Sequence, residues 1–287
     1  MNVIDFRVRP PYKEFIDLDI MKRYQHISTD PMKWVPAIHG GRKQVPSIVQ
    51  KDINLFIKEM DEAHVTLAGV MGRRTGDVWG DVSSDTIQNL IQEFPGRFFG
   101  FAGINPHEAD AVEQIDKYVG QQGFKGISID AGWCNPPLYV DDPKIFPIYE
   151  KCSEYKCICN LTMSNAVGPD LTYTDPVRLQ HVATRYPNVT FCVAHACFPY
   201  FPEVMSVVMR TQNVYLIPDM YFYLPGMPGA SDMAKAANSF LKYKLLFATS
   251  FPMMGFAQCV QMWAETGLTD EALELSLYNN AARLLES

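Results

Sequence analysis

Short apolar runs rich in β-branched and aromatic residues recur along this sequence, with helix-like segments between them, and that alternation admits few folds. The runs are Met1–Arg9, Val65–Met71, Phe98–Ile104, Lys125–Ile129, Cys157–Thr162, Val189–Ala194, Val214–Ile217 and Leu245–Thr249. Between them lie stripes at helical spacing, such as Ile87, Leu90, Ile91 and Phe94, or Val112, Ile115 and Val119. Strand–helix alternation implies a parallel sheet. Eight such units in 287 residues fit an α/β fold of the (β/α)8 TIM-barrel kind. An open doubly wound sheet fits less well, because no glycine-rich phosphate loop follows any strand. One barrel domain over residues 1–287 is expected, with an irregular insertion at 10–46 after the first strand. Connections that long are more often functional than structural, and this one is placed to cover a site at the barrel mouth.

The first strand is chemically unusual. Asp5, Arg7 and Arg9 stand at every second position within Val3–Val8 and its end, so a regular strand would point all three to one face. Buried charges need partners or a ligand. Catalytic groups of such a barrel sit at the C-terminal ends of its strands. Read there, the sequence offers Arg7 and Arg9, Arg73 and Arg74, Asn105, Asp130, Thr162 (with Asn160), His195, Asp219 and Ser250. Plainer readings stand beside these: Arg7 and Arg9 paired internally with Asp5, Asp130 or Asp219, one of Arg73 and Arg74 a solvated surface charge, His195 a satisfied core residue, and Asp130 and Asp219 caps of turns.

Composition excludes some classes. A net charge of −7 with no basic run argues against a nucleic-acid partner. No stretch reaches the roughly 20 apolar residues of a membrane span. The N-terminal residues lack the pattern of a secretory signal. Seven scattered cysteines read as reduced buried thiols, which points to a cytoplasmic protein. Cys197, two residues after His195, is more simply a packed thiol than its chemical partner.

Several stretches carry a family pattern: Ile4-Asp5-Phe6-Arg7-Val8-Arg9-Pro10, Met60–Val65, Phe94–Ile104, Gly123–Ile127, Tyr186–His195, Leu246–Pro252 and Asn280–Leu284. In order and spacing the whole chain resembles the amidohydrolase-related family of the amidohydrolase superfamily. That resemblance implies a (β/α)8 hydrolase, decarboxylase or hydratase acting on small, often aromatic or dicarboxylic acids. It also marks departures. The family's first strand carries His-x-His as metal ligands, and Arg7 and Arg9 stand there. Ser250 replaces the strand-eight aspartate, and Thr162 (or Asn160) the strand-five histidine. Only the strand-six histidine remains, as His195. Guanidinium has no lone pair to give a metal, so no cofactor is expected, and a divalent ion such as zinc is disfavoured.

The resulting expectation is an amidohydrolase-like hydrolase or carboxy-lyase that acts on a small organic acid or lactone without a metal. Arg7 and Arg9 anchor the carboxylate or oxyanion, with Arg73, Arg74, Asn105, Thr162 and Ser250 as further substrate contacts. His195 is the general acid or base, with Asp130 or Asp219 as second proton-transfer or orienting groups. The family also has metal-independent lactone hydrolysis. Two alternatives are an inactive barrel that binds an acidic metabolite or a protein partner, and a rearranged metal site built on His195 with Asp130, Asp219 or a cysteine. A homo-oligomer is compatible with all three.

Overall fold

The structure, a computed structural model, describes residues 1–25 and 43–286. Seven parallel strands follow one another around the sheet in chain order: β1 (Val3–Val8), β2 (Val65–Met71), β3 (Phe98–Gly103), β4 (Gly126–Ile129), β5 (Ile158–Ser164), β6 (Thr190–Phe198) and β7 (Val214–Ile217). Helices such as Ile53–Glu62, Ser84–Glu93, Phe146–Tyr155 and Pro176–Arg185 connect them on the outside. This is the expected TIM-barrel arrangement.

The eighth run, Leu245–Thr249, is extended but is not a regular strand. Leu245 bridges Leu216 of β7 in parallel, and Leu246 N–H donates to Leu216 O at 2.9 Å. On its other side Phe247 O accepts from Phe6 N–H of β1, also at 2.9 Å. Further along, a side chain replaces the ladder. The Asp5 carboxylate accepts from Thr249 N–H at 3.1 Å and from Thr249 Oγ1 at 2.6 Å. The run therefore joins β7 to β1 and nearly closes the barrel, with a carboxylate in place of the last backbone bonds.

The regular alternation expected for β1 also fails, for a local reason. Asp5 lies opposite Ala68 and Val8 opposite Val70, so β1 spends one residue more than β2 over this interval. Such a bulge re-aims the side chains beyond it. Asp5 is consumed at the seam with Thr249, whereas Arg7 and Arg9 both line the cavity at the barrel mouth.

The barrel interior is a cluster joining Phe6, Phe99, Phe101, Cys192, Ile217 and Leu246 from opposite sides of the sheet. Phe6 meets Phe99 edge-on at 5.3 Å. A larger cluster fills the layer between strands and helices, with Phe56, Phe251, Phe256 and Trp263 among its fully buried rings. β2 and β3 touch at their upper ends: a Cβ on Gly72 would fall 2.4 Å from the Gly103 nitrogen. Arg73 leaves the barrel from that contact.

Of the insertion, the turn Lys13–Asp17 and the helix Asp19–Tyr24 are described, and Leu18 and Ile20 contribute to the cavity wall. Residues 26–42 of the expected cover lie outside the described residues. No described helix is long and apolar enough to cross a membrane.

Candidate active site

A cavity of about 150 Å³ opens at the C-terminal ends of the strands. One side of its polar wall is built from the ends of β1, β6 and β7 and of the eighth run. His195 lies near the end of β6, and its Nδ1 is 2.9 Å from Asp219 Oδ1. Asp219 follows β7, and its Oδ2 accepts from Ser250 Oγ at 2.7 Å. Ser250 Oγ in turn accepts from Arg7 Nη1 at 2.9 Å. Arg7 Nη1 is also 3.6 Å from Asp219 Oδ2. Asp219 and Ser250 are wholly buried, and His195 is 8% exposed.

The backbone here is under tension. His195, Asp219 and Ser250 have φ of 67°, 44° and 52°. Non-glycine residues avoid this region, at a cost of about 1–3 kcal/mol each, unless their surroundings over-determine them. Here the three are linked by the hydrogen bonds just described, which hold each side chain inward. Clustering of such residues is a common mark of a functional site.

The chain of bonds fixes protonation. A carboxylate only accepts, so His195 Nδ1 carries a hydrogen, and in the neutral ring the lone pair is then on Nε2. Burial, as the largest influence, pushes the imidazole below the usual histidine range; the Asp219 carboxylate opposes this and the Arg7 cation reinforces it. His195 is thus a neutral imidazole with a fixed tautomer. Burial first, and then the Arg7 cation, push the Arg9 guanidinium down to about 9, which leaves it cationic at neutral pH.

The four expected arginine anchors have separate fates. Among the described residues Arg9 hydrogen-bonds carbonyl groups, Ser250 O at 3.5 Å and Phe251 O at 3.4 Å. Among the described residues it has no carboxylate within ion-pair distance. Arg7 shares Asp219. Arg73 is saturated: its guanidinium grips both Asp77 carboxylate oxygens at 2.7 and 2.6 Å, and its Nε meets Asp130 Oδ2 at 3.0 Å. Arg74 pairs with Glu108 and lines a separate polar cleft instead of the cavity.

The remaining expected residues divide likewise. Thr162 and Ser250 line the cavity. Asn105 does not; its Oδ1 accepts from His107 N–H at 3.0 Å and shapes the turn after β3. Asp130 borders the cavity but is engaged by Arg73, which leaves Asp219 as the carboxylate coupled to His195. Cys197 is buried with its thiol 3.8 Å from Met163 Sδ, away from proton-transfer partners. Trp79, Trp133 and Tyr221 also line the cavity. Trp79 stands in a loop and Trp133 ends the single 3-10 turn Ala131–Trp133, both too short for hydrophobic periodicity, so no pattern singles them out.

The donor set does not suit a divalent ion. A metal takes several convergent imidazole, thiolate or carboxylate ligands. Among the described residues no group of three or more His, Cys, Asp or Glu is arranged to hold one. At the mouth, His195 and Asp219 bond each other, and two guanidinium groups stand beside them.

Comparison with known proteins agrees with this architecture. The model of the amidohydrolase family matches residues 4–286. An uncharacterized TIM-barrel protein from Bordetella bronchiseptica is 29% identical, with a TM-score of 0.88 over 100% of this chain and 99% of that one. A dihydroxybenzoic acid decarboxylase from Polaromonas, solved with manganese and the inhibitor 2-nitroresorcinol, is 16% identical, with a TM-score of 0.68 over 100% and 97%. A probable 2-pyrone-4,6-dicarboxylic acid hydrolase from Acinetobacter baumannii, solved with citric acid, is 14% identical, with a TM-score of 0.67 over 100% of both chains. No curated protein matches the chain.

Proposed function

The chain belongs to the amidohydrolase family, and from that premise we propose that it hydrolyses a small carboxylated lactone or related organic acid without a metal. The reading rests on one observation, the hydrogen-bonded chain Arg7–Ser250–Asp219–His195 at the cavity wall. Arg9, with no ion-pair carboxylate among the described residues, binds the substrate carboxylate through charge-assisted hydrogen bonds. The lactone carbonyl lies toward Arg7. His195 Nε2 takes a proton from water as the water oxygen adds to that carbonyl, and Asp219 stabilises the imidazolium formed. Arg7 and Arg9 stabilise the oxyanion, the electrostatic part that a metal supplies elsewhere. The ring C–O bond then breaks, and the leaving oxygen takes the proton back from His195. Ser250 holds Arg7 and Asp219 in register.

A carboxy-lyase reading uses the same residues: His195 Nε2 first takes a proton from water and then delivers it to the carbon as the C–C bond to CO₂ breaks, the hydroxide left behind returning to solvent. It draws support from the apolar side of the cavity, where Leu18, Met71, Met220 and Met253 would disfavour a charged carboxylate. The test is turnover by chelator-treated protein on a panel of carboxylated lactones and aromatic or dicarboxylic acids. Turnover should survive chelation and fall roughly 10²- to 10⁴-fold in His195→Gln. Activity that appears only on adding manganese or zinc would overturn the metal-free mechanism. Binding without turnover across the panel would favour a barrel that only binds acids.

A further inference from the structure

Arg73 stands among the substrate contacts expected at the barrel mouth, yet its hydrogen bonds go elsewhere. Nη1 donates to Asp77 Oδ1 at 2.7 Å and to Gly80 O at 2.5 Å, and Nη2 donates to Asp77 Oδ2 at 2.6 Å. Nε meets Asp130 Oδ2 at 3.0 Å on the barrel. The loop 77–80 is therefore wrapped around one guanidinium that is itself fastened to the end of β4. Asp77 also ties the loop to itself, since its Oδ1 accepts from Trp79 N–H at 2.9 Å. The loop lies outside the core, with Val78 88% exposed, so these bonds, and not apolar burial, set its position.

What the loop carries is Trp79. Its ring lines the cavity 6.1 Å from that of Trp133, at an interplanar angle of 42°. Trp133 is fixed by its indole N–H to Ala166 O at 3.0 Å and by the Arg73 guanidinium 5.2 Å from its ring. Trp79 is backed by the guanidinium of Arg23 at 5.0 Å and by Asp19 N–H donating to its carbonyl at 3.1 Å. Two indoles, both positioned through Arg73, form one continuous aromatic wall in a cavity of about 150 Å³.

We propose that the Arg73–Asp77 fork is a positioning element that sets this aromatic wall and thereby selects flat, unsaturated-ring acids over puckered acids of the same size. The inference rests on the reading that Arg7 and Arg9 bind a carboxylate in this cavity. An indole face gains offset-stacking or edge contacts from a planar ring that a saturated ring cannot match. A space of this size also admits a single six-membered ring.

The test compares benzoate with cyclohexanecarboxylate by calorimetric titration of the intact protein, of Trp79→Leu, and of Asp77→Asn, with Asp77→Glu as the conservative variant. The parent should bind benzoate about five- to tenfold more tightly. Trp79→Leu and Asp77→Asn should bring the two acids to near parity, and Asp77→Glu should recover part of the preference. Equal binding of both acids by the parent, or an undiminished preference in both Trp79→Leu and Asp77→Asn, overturns the inference and leaves the carboxylate site standing. Failure of the parent to bind either acid overturns the carboxylate reading itself, and the inference with it.

Discussion

Replacing Asp219 with Asn tests how much of the site depends on one buried charge. Asp219 is fully buried and holds His195 at 2.9 Å, Ser250 at 2.7 Å and Arg7 at 3.6 Å. Asparagine keeps the shape but replaces one acceptor with a donor. If the amide oxygen stays on His195, the amide nitrogen faces the Ser250 hydroxyl and the Arg7 cation, and the Ser250 proton loses its acceptor. At 3.6 Å and an effective dielectric constant of about 20, the Arg7–Asp219 attraction is roughly 4–5 kcal/mol. Part of it is offset because the neutral amide needs less solvation, and removing one member of a buried pair typically costs about 3–5 kcal/mol. Since one hydrogen bond is kept, a loss near the lower figure is expected, seen as a melting temperature lower by roughly 5–10 °C. The chemical effect should be larger, because His195 loses the group that fixes its tautomer: kcat should fall by roughly 10³–10⁴. Binding of the substrate carboxylate to Arg9 should change much less. Thermal denaturation and steady-state kinetics measure the two effects. A melting temperature within about 1 °C of the parent, with kcat within about threefold, would show that Asp219 does not orient His195.

Three other outcomes follow from the charged groups. Burial raises the Asp5 carboxyl to about 7; a group that holds its proton more tightly when folded stabilises the protein at low pH and loses that contribution as pH rises from about 4 to about 7. Asp5→Asn, whose amide oxygen can accept from the same Arg7 and Thr249 backbone N–H groups that Asp5 Oδ1 serves at 3.1 Å, should therefore flatten the fall in melting temperature between pH 5 and pH 8; an unchanged pH profile would refute this. His195 is held below the usual histidine range chiefly by burial, so the acid limb of kcat/KM should lie below pH 6.5, and a limb above that value would contradict a neutral general base. Arg9→Met should weaken carboxylate binding roughly 10- to 150-fold, whereas Arg74→Met, whose charge answers Glu108 outside the cavity, should leave it within about twofold, and titration of benzoate separates the two.

The barrel was legible because its cause is local and repeated: β-prone apolar runs and helical stripes alternate along the chain. His195, Asp219, Arg7, Arg9 and Ser250 could be placed at one mouth because strand ends converge there by topology. What the sequence concealed is of another kind. The extra residue in β1 is a backbone event with no compositional mark, so Asp5 looks like a companion of the arginines when it serves the seam with Thr249. Strand eight reads as β-prone, yet its last backbone partners are replaced by that same carboxylate. Arg73 and Arg74 are neighbours in sequence, yet one is held by Asp77 and Asp130 beside the cavity and the other pairs with Glu108 in a separate cleft, a difference that only tertiary structure sets. A signal existed for Arg73 in the Arg73-x-x-x-Asp77 spacing with Gly76 and Gly80 nearby, which suits a tight loop around a guanidinium. Trp79 and Trp133 gave none, because residues of a loop or a single 3-10 turn face a cavity only through tertiary structure.

If guanidinium groups occupy the place where a metal would bind and hold an organic acid there themselves, a crystal structure of chelator-treated protein soaked with benzoate shows it most directly. Carboxylate oxygens should then lie within hydrogen-bond distance of Arg9, beside Arg7, with His195 still bonded to Asp219. A divalent ion retained between His195 and Asp219, or an acid bound away from both arginines, would contradict that assignment.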